Sequence, residues 1–200
     1  MRTSARSSGG LPSSDRSEFI LGGQRSGKSR CAEQRAGAWL VQPRHTAVLL
    51  ATALAGDAEM TERIAHHRRD RALRVPGLAS VEVPRELPHA LRQHSAAQQL
   101  VVVDCLTLWL TNLLMPMQGA ALDDEALGDV CSELIAALRT APGPVVIVSN
   151  EIGLGLSPMT REARRFVDEL GRLHQLVAAA CDRVTLMVAG IDVAVKGARS

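Results

Sequence analysis

Two hundred residues, 46% of them hydrophobic and 22% charged, suit a soluble globular chain able to bury a core of ordinary size. A formal net charge of +2, with two Trp, two Phe and no Tyr, offers neither the basic field nor the stacking platforms that nucleic-acid binding needs. Four cysteines without C-x-x-C spacing argue against a zinc site or redox pair, and predict small buried thiols in a cytoplasmic protein.

Residues 1–17, "MRTSARSSGGLPSSDRS", are rich in Ser, Arg and Gly and lack an apolar h-region. They read as a disordered tail ahead of one catalytic domain spanning 18–200. "EFILG" (18–22) reads as a strand, followed by a glycine-rich turn and the helical "KSRCAEQRAGAWL". "TAVLLAT" (46–52) is a second strand, ahead of the helical "DAEMTERIAHHRRD" (57–70). "SVEV" (80–83) predicts a short edge strand. "LVVVD" (100–104) leads into "CLTLWLTNLL", and "PVVIVSN" (144–150) into a long helix within 158–181. "RVTLMVAG" (183–190) is the last strand expected. Aliphatic strands alternating with helices predict an α/β fold: a mostly parallel sheet with helices on both faces, in three layers. The apolar run 100–115 is broken by Asp104, so no membrane span is expected. Ligands of such a sheet belong at the carboxyl ends of its strands.

The strongest motif lies at the first of those ends. "GGQRSGKS" (Gly22, Gly23, Gln24, Arg25, Ser26, Gly27, Lys28, Ser29) fits G-x-x-x-x-G-K-[ST] in full. Glycines let backbone N–H groups turn inward onto phosphate oxygens, and the helix starting near Lys28 adds the positive end of its dipole. Lys28 is expected at the outer phosphates, and the Ser29 hydroxyl on Mg²⁺. Lysine is rare here, with only Lys28 and Lys196 against 21 arginines. A compact point charge has thus been chosen over the usual guanidinium at this position. Asp104, closing "LVVVD", is the expected second metal-positioning carboxylate. A P-loop NTPase-type fold follows, though that class holds kinases, GTPases and motors alike.

Four blocks in order narrow it: "FILGGQRSGKSRCAEQRA" (19–36), "ATALAGDAEMTERIAHHRRDR" (51–71), "DCLTLWLTNLL" (104–114) and "VSNEIGLGLSPMTREARRFVDELGRLHQ" (148–175). Together they resemble the bifunctional adenosylcobinamide kinase / adenosylcobinamide-phosphate guanylyltransferase family of cobalamin biosynthesis. The resemblance runs from about residue 18 to 196. It implies phosphorylation of the aminopropanol hydroxyl of adenosylcobinamide by ATP or GTP. GMP from a further GTP then passes to a histidine and on to the phosphorylated corrinoid, giving adenosylcobinamide-GDP. His66 matches the family histidine, and His67 is assigned support. The resemblance also implies a homotrimer and a nucleotide-contacting carboxylate at Glu82. Ala51, Thr52 and Ala53 end the second strand at the active edge, where their backbone can contact nucleotide, and His67, Arg68, Arg69, Asp70 and Asp104 are further candidates for nucleotide binding.

The residues are compatible with that chemistry. A neutral imidazole nitrogen is a competent nucleophile at phosphorus. Over a helical 57–70, Glu62 lies one turn before His66, placed to take a proton from its ring. Arg68 and Arg69 are expected to neutralise triphosphate or pyrophosphate oxygens. Asn150 and Glu151 open a Gly-rich loop (149–158) suited to closing over substrate. Two departures from the family are His174, where it usually reads Asn, and the longer N-terminal tail. His174 is read as a helix-face residue. Two rivals stay open: a single-activity P-loop kinase in which His66 is inert, and a non-catalytic nucleotide sensor.

Overall fold

The computed structural model describes residues 16–197, apart from 55, 57–61, 63, 64, 66–68 and 157. Seven strands form one sheet: β1 (Ser17–Gly22), β2 (Thr46–Ala51), β3 (Leu78–Glu82), β4 (Gln99–Asp104), β5 (Val145–Asn150), β6 (Arg183–Val188) and β7 (Ile191–Lys196). Their order is β3-β2-β4-β5-β1-β6-β7. The first six run parallel, and β7 returns antiparallel along β6. The expected short strand at 80–83 is thus the edge strand β3, starting two residues earlier.

Five helices are described in full in the crossovers: α1 (Lys28–Leu40), α2 (Leu87–His94), α3 (Leu106–Leu114), α4 (Asp124–Thr140) and α5 (Arg161–Ala180). Residues 69–74 are helical as well, so the pattern read over 57–70 continues one turn further. Capping explains several starts. Asp123 accepts from the Ala126 N–H at 2.9 Å and Thr160 from that of Ala163 at 3.2 Å. α4 also carries Asp124 and Glu125 in its first turn, where the dipole favours them.

Strands buried on both faces need apolar residues at successive positions, and these alternate between two cores. Phe19, Leu50, Val101, Val103 and Ile147 face one side, where α2, α3, α4 and α5 pack with Trp109, Leu134 and Leu170. Ile20, Leu49, Val102, Val146 and Val148 face the other, against Cys31, Ala32 and Ala36 of α1 and against Val75. All four cysteines are free and buried, as their spacing predicted. Among the described residues, no helix is long and apolar enough to cross a membrane.

Three elements were not expected from the sequence. α2 and α4 are two of them. The third is β7, reached through a tight hairpin whose Ala189 and Gly190 both take positive φ (51° and 82°). The chain therefore does not end its sheet at β6.

Candidate active site

β1 delivers the phosphate loop to the carboxyl edge of the sheet. Gly22 must be glycine, since a Cβ there would lie 2.5 Å from the Met187 carbonyl oxygen and 2.6 Å from Ser26 Oγ. Gly27, at φ 102°, is left-handed and caps α1 without a side-chain acceptor. The first N–H groups of α1 are thereby left to an anion. Ser26 Oγ is buried with no hydrogen-bond partner among the described residues.

Lys28 is buried, and its Nζ donates to the Gly23 carbonyl at 2.6 Å, closing the loop on itself. Burial lowers its pKa from the ordinary lysine value, and nearby negative charge opposes the shift. The Cys105 thiol beside it is pushed up to about 11 by burial and is neutral at pH 7. Asp104 is therefore the neighbour that counts.

A cavity of about 530 Å³ opens against this loop. Gln24, Arg25, Ser26, Gly27, Lys28 and Ser29 line it, together with Ala51 at the end of β2 and Ala53 beyond it, Glu82 at the end of β3, and Asp104 at the end of β4. Asp70 reaches it from the helical stretch 69–74, and Asn150 from the end of β5. Residues spread over 127 positions of sequence thus meet at one sheet edge (Gln24 to Asn150). Gly22 and Gly23 shape the loop rather than line the cavity. Arg69 is exposed and does not line it either. His66, His67 and Arg68 lie outside the described residues, so Glu62, helical and exposed, has no described partner there.

Thr52 is fully buried and works as a clamp. Its hydroxyl donates to the Cys105 carbonyl at 2.7 Å and accepts from the Cys105 N–H at 2.9 Å. Asn112 on α3 donates to the carbonyls of Thr52 (2.8 Å) and Pro84 (2.9 Å). Trp109 donates to Arg85 O at 2.8 Å, and Arg85 to Asn112 O at 3.1 Å. The exits of β2 and β3, which carry Ala51, Ala53 and Glu82, are held to α3 by this network. Nothing in the sequence pointed to Asn112, because its partners are backbone carbonyls remote in sequence.

A second network sits behind Asn150. Its N–H donates to Thr107 Oγ1 at 2.8 Å, Thr107 and Ser149 hydroxyls pair at 3.0 Å, and His174 Nε2 meets Ser149 Oγ at 2.8 Å. His174 Nδ1 lies 3.8 Å from Glu151 Oε2. Burial lowers the His174 pKa, and Glu151 opposes this. In the neutral form the donors line up: Thr107 to Ser149, Ser149 to Nε2, and Nδ1–H toward Glu151. His174 is a helix-face residue as expected, on the buried face. Beyond Glu151, Leu154, Leu156 and Met159 are exposed.

Two features of the cavity were not anticipated. Arg71 and Arg74 line it, and so does Glu33 of α1. Arg74 donates to Glu33 through Nε (2.8 Å) and NH2 (3.2 Å), and Arg71 Nε lies 3.5 Å from Glu33 Oε1. The signal was present in the i, i+3 spacing of the two arginines. It became readable only once the helix was seen to extend past Asp70.

Comparison with known proteins agrees over most of the chain. The profile of a family described as cobinamide kinase / cobinamide phosphate guanyltransferase matches residues 18–195. The bifunctional adenosylcobalamin biosynthesis protein CobP of Pseudomonas aeruginosa is 44% identical over 180 residues, 90% of this chain and 97% of that protein. The bifunctional adenosylcobalamin biosynthesis protein CobU of Salmonella typhimurium is 36% identical over 186 residues, 89% of this chain and 98% of that one. Among solved structures, the flagellar accessory protein FlaH of Methanocaldococcus jannaschii superposes with a TM-score of 0.51 at 13% identity, covering 90% of this chain and 78% of that one. The Pyrococcus horikoshii protein PH0250 gives 0.55 at 8% identity, covering 92% and 88%. At those identities the two structures speak for the fold alone.

Proposed function

The chain belongs to the cobinamide kinase / cobinamide phosphate guanyltransferase family, whose members are transferases, and we propose that its second transfer runs through GMP held on His66. In the first transfer the aminopropanol hydroxyl of adenosylcobinamide attacks the γ-phosphorus of ATP or GTP. A new O–P bond forms, the bond to the β-phosphate bridging oxygen breaks, and the nucleoside diphosphate leaves with the electron pair while the hydroxyl gives up its proton. In the second, a ring nitrogen of His66 attacks the α-phosphorus of GTP and pyrophosphate leaves. A phosphate oxygen of adenosylcobinamide phosphate then attacks the same phosphorus, the P–N bond breaks, and His66 is restored.

Lys28 and the free N–H groups at the start of α1 bind and orient the phosphates in both halves. Ser29 and Asp104 fit Mg²⁺: both present hard oxygen donors to the one cavity. Among the described residues no group of three or more His, Cys, Asp or Glu could hold a metal alone. Bound with the triphosphate, Mg²⁺ neutralises charge on the transferring group. Ala51, Ala53 and Glu82 line the same cavity and are assigned to nucleotide contact. Asn112 and Thr52 keep that wall rigid.

The observation that carries this reading is that Asp70, four positions after His66, lines the same cavity as Lys28, Ser29 and Asp104. On that footing the histidine-bearing segment and the phosphate loop are assigned to one site. A cytoplasmic homotrimer completes the proposal, and light scattering coupled to gel filtration tests its stoichiometry.

The chemical test uses GTP labelled on the α-phosphate. Wild-type protein retains label after denaturation, in an acid-labile, alkali-stable linkage, while His66→Ala retains none yet still phosphorylates cobinamide. Kinase activity with no retained label on the wild type favours the single-activity kinase instead.

A further inference from the structure

Among the described residues, the cavity is lined by five cationic side chains, those of Arg25, Lys28, Arg30, Arg71 and Arg74, and by four carboxylates. These described charges come close to balancing one another. A triphosphate entering it needs positive charge that is not already spent. Lys28 can supply some by giving up its bond to the Gly23 carbonyl.

The rest is found where two guanidiniums share one carboxylate. Arg74 takes both oxygens of Glu33 in a forked pair, and lies 3.7 Å from Asp70 as well. Glu33 itself is 4% exposed. Arg71 is left with the poorer share: 3.5 Å from Glu33, its Nε buried with no hydrogen-bond partner among the described residues, its side chain only 11% exposed. A guanidinium N–H withheld from water without a hydrogen bond is costly, and a phosphate oxygen is the acceptor that the planar guanidinium fork matches best. Arg71 lines the phosphate-loop cavity, so such an acceptor arrives with the nucleotide.

We propose that Arg71 is a phosphate-binding residue of this site, and that Glu33 is its resident counterion, which the nucleotide's polyphosphate supplants. The inference rests on the reading that this cavity takes a nucleoside triphosphate. It assigns to Arg71 the charge neutralisation that the sequence alone placed on Arg68 and Arg69. It also gives α1 a double role, since its first turn carries Lys28 and Ser29 while its second turn carries the carboxylate that tempers the cation facing them.

A purely structural tether between α1 and residues 69–74 predicts the opposite response to one substitution, and that decides the matter. Glu33→Gln keeps the shape and removes the charge. Competition for Arg71 then ends, and GTP binding, followed by titration of a fluorescent GTP analogue at fixed ionic strength, tightens about 3- to 10-fold. The gain is smaller for the GMP analogue, which carries no polyphosphate, and it vanishes when Glu33→Gln is combined with Arg71→Met. Arg71→Met alone loses about 10-fold or more in GTP affinity. Weaker or unchanged GTP binding by a folded Glu33→Gln overturns the inference, as does a gain that survives in the double variant. Arg71→Met binding GTP like the wild type overturns it whatever Glu33→Gln does. Failure of the underlying reading looks different: the wild type itself then binds no GTP analogue.

Discussion

Two glutamates, Glu18 on β1 and Glu33 on α1, each hold two arginines, and the contrast between them separates what builds this fold from what it is for. Glu18 is fully buried, takes Arg35 of α1 through Nε at 2.8 Å and NH2 at 3.2 Å, and also accepts from Thr185 Oγ1 at 2.6 Å. A second guanidinium, that of Arg183, stands 3.5 Å away. Glu33 has the same forked arginine and the same outlying one, but among the described residues it accepts no third hydrogen bond, and it borders a cavity. Similar chemistry is sealed in one place and left open to a ligand in the other. A sealed cluster joins β1, α1 and β6 and so fixes the strand that carries the phosphate loop. An open one has charge to reassign.

The largest effect expected from breaking this contrast is on stability. Glu18→Gln removes the fully buried carboxylate from beside Arg35 and Arg183, and should cost about 3–5 kcal/mol in urea unfolding, with no direct effect on the site. Lys28→Met does the reverse. Losing the phosphate-directed charge should lower kcat/KM of cobinamide phosphorylation by about 10²–10³-fold. Because burial lowers the Lys28 pKa, its removal should leave the unfolding midpoint unchanged or raised. Glu33→Gln falls between the two. Arg74 is 42% exposed but Arg71 only 11%, so the stability cost should be about 1–3 kcal/mol, below that of Glu18→Gln.

The smallest effect comes from a place neither cluster resembles. His174 is the buried histidine of the Ser149 network, and burial holds its folded pKa below the unfolded one. The unfolded chain therefore binds the proton first, so the contribution is intact above the ordinary histidine value and is lost as pH falls below it. Thermal unfolding of the wild type should weaken between pH 7.5 and 5.5. His174→Asn should flatten that slope by a fraction of a kcal/mol or more. An equal slope in the variant assigns the acid sensitivity elsewhere.

How far the sequence could be read follows from which interactions are local. The phosphate loop, the aliphatic strands and the helix after Lys28 were legible because glycine positions and unbroken apolar runs are written in neighbouring residues. Asp104 was legible because it ends a strand beside the loop. β7 was not, since its pattern of exposed and half-buried residues reads as a plain edge. α4 was passed over although Asp123, Asp124 and Glu125 mark its start. The Glu33–Arg71–Arg74 cluster joins residues some forty positions apart, and Asn112 bonds to backbone carbonyls 60 and 28 positions away. No local pattern announces such contacts. His174 shows the limit most plainly: its spacing gives the helix face, but only the packed sheet says that Phe19, Ser149 and Glu151 meet it there.

The fold of the phosphate loop also makes it a self-reporting device. Lys28 and Lys196 are the only amine side chains in two hundred residues, and they are unlike in setting. Lys196 is tied to three carbonyls at the end of α5, those of Ala178, Ala179 and Cys181. Lys28 is tied to one, within the loop itself. An amine-acylating reagent followed by mass spectrometry therefore reads just two side-chain positions. One lies remote from the cavity and serves as the internal standard, and the other loses its label in proportion to nucleotide bound.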